Sequence, residues 1–154
     1  MTQKDKELLL TDLCARLPYG VKVQCGDYLF TFDKDHTGIG LLYRDFYGNT
    51  LESPKIILSG CYYGENIKPY LFPLSSMTEE QFNELKSYVD LNYEHNTLEL
   101  VEWDNNYKTL EFWLEEIPSY CVIKVFDWLN KNHFDYRGLI PMGLAIDATN
   151  KNIY

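Results

Sequence analysis

Three residues have the types needed for nucleophilic catalysis. Cys61 lies in the turn-like run Ser-Gly-Cys-Tyr-Tyr-Gly, and His133 and Asp135 follow near the end of the sequence. Such catalysis needs a thiolate, a base within hydrogen-bond distance and a group that orients the base. The sequence supplies the types without their proximity, and His133 and Asp135 are too close in the chain to be independent supports. A small enzyme with this site is therefore an alternative to a non-catalytic protein. In a non-catalytic protein, His133 would lie at the end of a helix, where it interacts favourably with the negative end of the helix dipole.

Residues 33–38, Asp-Lys-Asp-His-Thr-Gly, resemble the start of a calcium-binding loop. Oxygen-bearing side chains stand at the first, third and fifth positions, and a glycine stands at the sixth. The residue at the loop's last position is Arg44, where calcium needs a bidentate glutamate, and no helical pattern flanks the segment. A positive charge there repels the ion, so we predict a β-turn, and no metal or other cofactor.

Tyr136 and Arg137 are of the residue types that are enriched at the centres of protein interfaces. They are candidate binding residues in a recognition loop. In the alternative, Asp135 and Arg137 fix the end of the last helix to the β module, because polar loops after a helix usually satisfy backbone groups.

One segment carries the acidity of the chain. Residues 79–116 contain eleven acidic and two basic residues, which accounts for the whole net charge of −9. The rest of the chain is balanced, with twelve acidic and twelve basic residues. A negative surface disfavours direct nucleic-acid binding, which works through Lys and Arg contacts to phosphates. It favours a protein partner of basic charge.

Aromatic residues are interspersed among these acids. An interface would use the rings as anchors and the carboxylates as a polar rim, and an array that mimics DNA phosphates is a narrower form of this idea. In the alternative, the rings are core and the acids are a solvated face. The candidate binding residues in the segment are Trp103, Asp104, Glu111, Glu115 and Glu116.

The elements that must position these residues begin with a helix and a β module. Residues 4–17 repeat leucine at every fourth position, Thr2 is a suitable N-cap and Pro18-Tyr19-Gly20 is a stop signal, so a helix is predicted. From residue 21 to about residue 70, short β-rich runs separated by Gly, Asn and Asp predict a small antiparallel sheet or an SH3-like barrel. The predicted strands are residues 21–25, 28–32, 41–47 and 55–58.

Residues 71–154 are predicted to be mainly helical. Two prolines make residues 67–73 an extended connector to a helix that starts after Thr78, with Gln81 completing a capping box and Met77 facing Phe82. That helix is predicted to run to about residue 91, with Tyr88 as a further inward residue. Residues 97–103 fit a strand, and residues 107–117 are predicted to be a short helix.

The last helix, after Pro118 and Ser119, is predicted to be strongly apolar. Ile123 and Val125 widen the predicted buried face of this helix, and Trp128 flanks that face. Gly138 is predicted to end the helix. The residues that approximate the helical spacing of this face are Val122, Phe126, Leu129 and Phe134.

The chain is predicted to be a single domain over residues 1–154. No apolar run opens the sequence, so we expect a soluble, cytoplasmic protein without a membrane segment. The four cysteines, at positions 14, 25, 61 and 121, are scattered and are expected to be small buried hydrophobes.

Three blocks of sequence carry a family resemblance. They are KELLLTDLCARLPYGV (6–21); IKPYL (67–71) with SSMTEE (75–80); and DWLN (127–130) with HFDYRGLI (133–140) and GLA (143–145). They resemble a group of small proteins encoded by gut bacteria and their phages or other mobile elements. The resemblance implies a phage or mobile-element context and transfers no catalytic residue.

Together these patterns predict an α+β domain with an N-terminal helix, a small β module and C-terminal helices. The favoured function is a non-catalytic, acidic binding or regulatory protein that engages a protein partner. The alternatives are the small enzyme and a protein that sequesters a small ligand in the β module. The oligomeric state stays open.

Overall fold

The computed structural model describes residues 1–25, 28–34, 41–42, 67–89, 97–103, 107–113 and 119–154, and its fold is α+β. The chain forms two compact units, Met1–Leu71 with Arg137–Tyr154 and Phe72–Tyr136. We call them the first unit and the second unit. The single domain over residues 1–154 stays a prediction.

The first unit opens with helix α1 (Gln3–Arg16). Thr2 caps it as predicted, because the Asp5 backbone N–H donates to Thr2 Oγ1 (3.2 Å) and the Thr2 N–H donates to Asp5 Oδ2 (2.7 Å). A short 3-10 turn follows the helix, and Gly20 adopts the left-handed conformation that a side chain disfavours (φ +64°). Cys14 is exposed, so the expectation that this cysteine is buried was wrong.

Five of the six strands of the larger sheet lie wholly or mainly in the first unit. They are β1 (Val21–Cys25), β2 (Tyr28–Lys34), β3 (Leu41–Leu42), β4 (Ile67–Pro73) and β8 (Ile146–Asp147). Strand β1 lies antiparallel to β2 and β4, β2 lies antiparallel to β3, and β8 lies parallel to β4. The sheet is therefore mixed rather than antiparallel, and the described strands do not close a barrel. Residues 43–47 and the strand predicted at 55–58 lie outside the described residues.

Strand β4 corrects the prediction of an extended connector at residues 67–73. Ile67, Pro69 and Leu71 are buried and alternate with half-buried Lys68 and Tyr70, which is the period of a strand packed on one face. The two prolines exclude a helix but still permit this extended pairing. The core of the first unit comprises Leu9, Leu13, Val21, Val23, Ile67, Leu71, Leu139, Leu144 and Ala145.

The second unit begins its helical part with α2 (Glu79–Val89). The predicted capping box is present, since the Gln81 N–H donates to Thr78 Oγ1 (3.2 Å) and the Thr78 N–H donates to Gln81 Oε1 (3.0 Å). Tyr88 is 40% exposed rather than inward.

Strands β5 (Thr97–Trp103) and β6 (Tyr107–Trp113) pair antiparallel along their whole length. The short helix predicted at residues 107–117 was therefore wrong for its first seven residues. The run Tyr-Lys-Thr-Leu-Glu-Phe-Trp also alternates at the period of a strand, and pairing with β5 selects that period.

Helix α3 (Ser119–Lys131) buries Cys121, Val125, Trp128 and Leu129. The predicted face was rotated, because Ile123 and Phe126 are exposed and Trp128 is fully buried. The described chain leaves the helix at Lys131, well before Gly138, and His133 adopts a left-handed conformation (φ +58°).

Strand β7 (Phe134–Asp135) follows this turn and lies parallel to Phe72 and Pro73, the last two residues of β4. The Trp128 ring stacks on Phe134 in the core, with centroids 5.7 Å apart. The core of the second unit comprises Met77, Leu85, Val89, Cys121, Val125, Trp128, Leu129 and Phe134.

Candidate functional site

The residues considered for catalysis are placed as follows. Cys61 lies outside the described residues. His133 and Asp135 are both buried in the second unit, and the His133 carbonyl oxygen accepts a hydrogen bond from the Phe72 N–H (2.9 Å). Among the residues that the structure describes, no group of three His, Cys, Asp or Glu residues could hold a metal ion.

Arg137 is half-buried and belongs to an ionic cluster in the first unit. Arg16 Nε and Nη2 donate to Asp12 Oδ2 (2.7 Å) and Oδ1 (3.0 Å), and both side chains are fully buried. Arg137 Nε lies 3.3 Å from Asp12 Oδ1. The cluster joins α1 to the segment after β7, because Arg137 contacts Asp12 of the N-terminal helix.

The sequence reasoning missed Asp12 and Arg16, although a signal was present. Leu9, Asp12, Leu13 and Arg16 follow the i, i+3, i+4, i+7 spacing of one helical face, and all four are buried. Opposite charges four residues apart can pair along a helix. Their place inside an apolar stripe marks a buried pair.

Tyr154 fills a break in the first unit's sheet. The register of β1 and β4 ends at Val23 and Pro69, and continuing it would place Lys22 opposite Tyr70. Here the Tyr154 hydroxyl donates to the Tyr70 carbonyl oxygen (2.7 Å) and accepts from the Lys22 N–H (3.1 Å). Tyr154 is 44% exposed as a whole, but its hydroxyl lies between these two backbone groups, and this local burial raises the pKa of Tyr154 above the ordinary tyrosine value.

The net charge of the chain lies entirely in the second unit. Residues 72–136 contain thirteen acidic and four basic residues, whereas the residues of the first unit contain ten of each. Glu79, Glu80 and Glu84 of α2 are exposed. The aromatic and acidic segment that the sequence singled out is therefore part of a unit with a net charge of −9.

Trp103 and Glu111 lie in the β5–β6 hairpin. Opposite positions of an antiparallel pair share a face, and faces alternate along each strand. Because Trp103 pairs with Tyr107 and Glu99 pairs with Glu111, Trp103 and Glu111 occupy positions on the same face. Asp104, Glu115 and Glu116 lie outside the described residues.

The second unit exposes an apolar stripe that the sequence reasoning assigned to the core. Tyr120 (49% exposed), Ile123 (66%) and Phe126 (40%) follow one another at a spacing of three residues along α3. We call these three residues the outer face of α3. A helix that is apolar on opposite sides is usually buried on both, whereas the second side of α3 is exposed to solvent.

Tyr136 borders this outer face. Its ring lies against Phe126, with centroids 5.0 Å apart, and its hydroxyl donates to Asn130 Oδ1 (3.1 Å). Tyr136 is half-buried, so this predicted binding residue supports one edge of the apolar stripe.

Acidic groups border the opposite edge, where α2 packs against α3. The Tyr88 hydroxyl donates to Asp127 Oδ2 (2.9 Å), and Trp128 Nε1 donates to Glu84 Oε1 (3.3 Å). The hydrogen bond to Asp127 is the main cause that raises the pKa of Tyr88, and slight burial of the hydroxyl adds to it.

Lys124 Nζ lies 5.8 Å from the centre of the Tyr120 ring, within the range of a cation–π contact. An apolar stripe with a carboxylate edge can bind a surface that is both apolar and cationic.

Comparison with known proteins finds no matching family model, curated protein or solved structure. Within the described part of the chain, the helices are too short or too polar to cross a lipid bilayer.

Proposed function

We propose that the protein is a non-catalytic binding or regulatory protein whose second unit engages a basic protein partner. The observation that carries the proposal is the division of charge, with −9 in residues 72–136 and a balanced first unit. Charge concentrated in one unit produces a directional field, which raises association rates with a cationic surface and orients the encounter.

The exposed side chains of the same unit supply the short-range contacts that long-range electrostatic attraction does not provide. Long-range attraction between exposed charges is screened beyond a Debye length of about 10 Å at 0.1 M salt, so close apolar contacts must stabilise the final complex. The outer face of α3 offers such contacts, and Tyr136 supports it. The cytoplasmic location and the phage or mobile-element context inferred from the sequence belong to this proposal.

The proposal is tested by capture on the immobilised full chain at low and at moderate salt, with captured proteins identified by mass spectrometry. We expect basic proteins that are released as salt rises, because screening weakens the attraction. Capture that is indifferent to salt, or a captured set without basic proteins, would contradict the proposal.

A pair of matched variants locates the charge that matters. Glu79→Gln with Glu84→Gln removes two exposed negative charges from the second unit, and Glu7→Gln with Asp147→Asn removes two from the first. We expect the captured proteins to be released at a lower salt concentration from the first variant only. Equal effects of the two variants would show that the total charge, rather than the second unit, governs binding.

A further inference from the structure

We infer that the outer face of α3 receives an amphipathic helix of the basic partner, with the partner's Lys and Arg residues directed towards α2. This inference rests on the proposed function and adds the kind of partner segment, its place and its orientation.

The outer face is apolar beyond what folding of the second unit requires. Ile123 is 66% exposed although Val125 and Leu129 of the same helix are fully buried. Tyr120 and Phe126 continue the exposed stripe on either side of Ile123, over about two helical turns. An apolar patch with a polar rim is typical of a protein contact surface.

The backbone of α3 selects a helical occupant. An extended peptide gains much of its affinity from main-chain hydrogen bonds to an exposed strand edge. The middle of a helix offers no such groups, since its N–H and C=O groups bond within the helix. A docked segment must therefore satisfy its own backbone, and the three-residue spacing of Tyr120, Ile123 and Phe126 is one of the ridges that pack into the groove of another helix.

The different side chains at the two edges of the outer face determine the orientation of the docked helix. On the α2 side lie Glu84 and Asp127, whose carboxylates hold Trp128 and Tyr88. On the other side lies Tyr136, an aromatic neighbour. Helix α3 itself carries Lys124 and Lys131 as well as Asp127, so most of the attraction for cations comes from α2 and from the net charge of the unit. A helix with apolar anchors on α3 and cations on the α2 side fits both edges.

The test uses two fluorescently labelled synthetic peptides of identical Leu and Lys composition. One places leucines at helical spacing, and the other has the same residues in scrambled order. Binding to the full chain at low salt is measured by fluorescence anisotropy. We expect the amphipathic peptide to bind at least about tenfold more tightly than the scrambled peptide.

Three variants test where the amphipathic peptide binds. Ile123→Ser and Phe126→Ser should each weaken binding of the amphipathic peptide by about tenfold. The control is Leu10→Ser on α1, which removes an apolar side chain of similar exposure (43%) from the first unit and should leave binding unchanged. Circular dichroism establishes that each variant retains its helices.

The outcomes separate this inference from the proposed function. Equal, salt-sensitive binding of both peptides would overturn the helix inference and leave a basic partner in place, whereas binding of neither peptide would contradict both. Unchanged binding by Ile123→Ser and Phe126→Ser would also overturn the inference. Sedimentation that shows a dimer dissociated by Ile123→Ser would overturn it too, because the occupant would then be a second copy.

Discussion

At the scale of single residues, Asp12 is the centre of a fully buried ion pair in the first unit. Its carboxylate accepts two hydrogen bonds from Arg16 and lies beside Arg137, in a position without solvent access. Removing one partner of a buried ion pair leaves the other charge uncompensated in a medium of low polarity. The stability of the unit therefore depends on a carboxylate that takes no part in the proposed binding.

We predict that Asp12→Asn lowers the free energy of unfolding by about 3–5 kcal/mol, because Arg16 loses its buried counter-charge. Urea denaturation followed by far-UV circular dichroism measures the change. Glu7→Gln, which changes an exposed carboxylate on the same helix, should stay within about 0.5 kcal/mol of the unmodified protein. Similar losses in both variants would refute the role given to Asp12.

Tyr154 provides a prediction in the alkaline range. Tyr154→Phe removes the hydroxyl that bridges Lys22 and Tyr70, at a cost of about 1 kcal/mol near neutral pH. Its pKa is raised in the folded chain, so above the unfolded value of about 10 the unfolded chain loses this proton first. The stabilisation is thus complete below pH ~10 and is lost as pH rises further.

Chemical denaturation of the unmodified protein and of Tyr154→Phe, repeated from neutral pH upward, measures this effect. The difference between the two unfolding free energies should shrink above pH ~10. A difference that stays constant through this range would show that folding does not raise the pKa of Tyr154.

The residue scale also shows where sequence reasoning ends. The spacing of Asp12 and Arg16 inside an apolar stripe is visible in the sequence, because both lie on one short helix. Arg137 is 125 residues from Asp12 in the chain, and only the fold brings the two together. Cys61, His133 and Asp135 had suitable types, yet type without distance does not define a site.

At the scale of elements, local signals were sufficient for the helix starts. Thr2 and Thr78 cap their helices through contacts within three residues, and both were predictable. The face of α3 was harder, since a helix that is apolar on most sides matches several stripes equally well. Strand β6 was missed for a related reason, because its sequence fits both periods and only its pairing with β5, the strand just before it, selects one of them.

The two sides of α3 lead to opposite predictions for similar substitutions. Leu129→Ala should destabilise the protein by about 2–5 kcal/mol, because it leaves a cavity in the second unit's core. Ile123→Ala, on the exposed side, should change the stability by less than about 0.5 kcal/mol. Thermal unfolding measured by circular dichroism compares them, and equal losses would mean that the outer face is packed.

At the scale of the whole molecule, the α+β class was predictable from the change of hydrophobic period along the chain. The order of the sheet was not, since the parallel pairing of β8 with β4 joins residues more than seventy positions apart. The acidic segment was visible as composition. Only the structure shows that all of this excess charge belongs to one compact unit.

The division of charge also determines how the protein behaves in acid. The isoelectric point of the sequence is about 4.7, and the carboxylates that must take up protons to reach it are in excess only in residues 72–136. As pH falls towards this value, mutual repulsion between molecules fades, which promotes precipitation. The exposed apolar side chains of α3 then become the surface through which molecules associate, so a solubility minimum near pH 4.7 should be shallower for Ile123→Ser than for the unmodified chain.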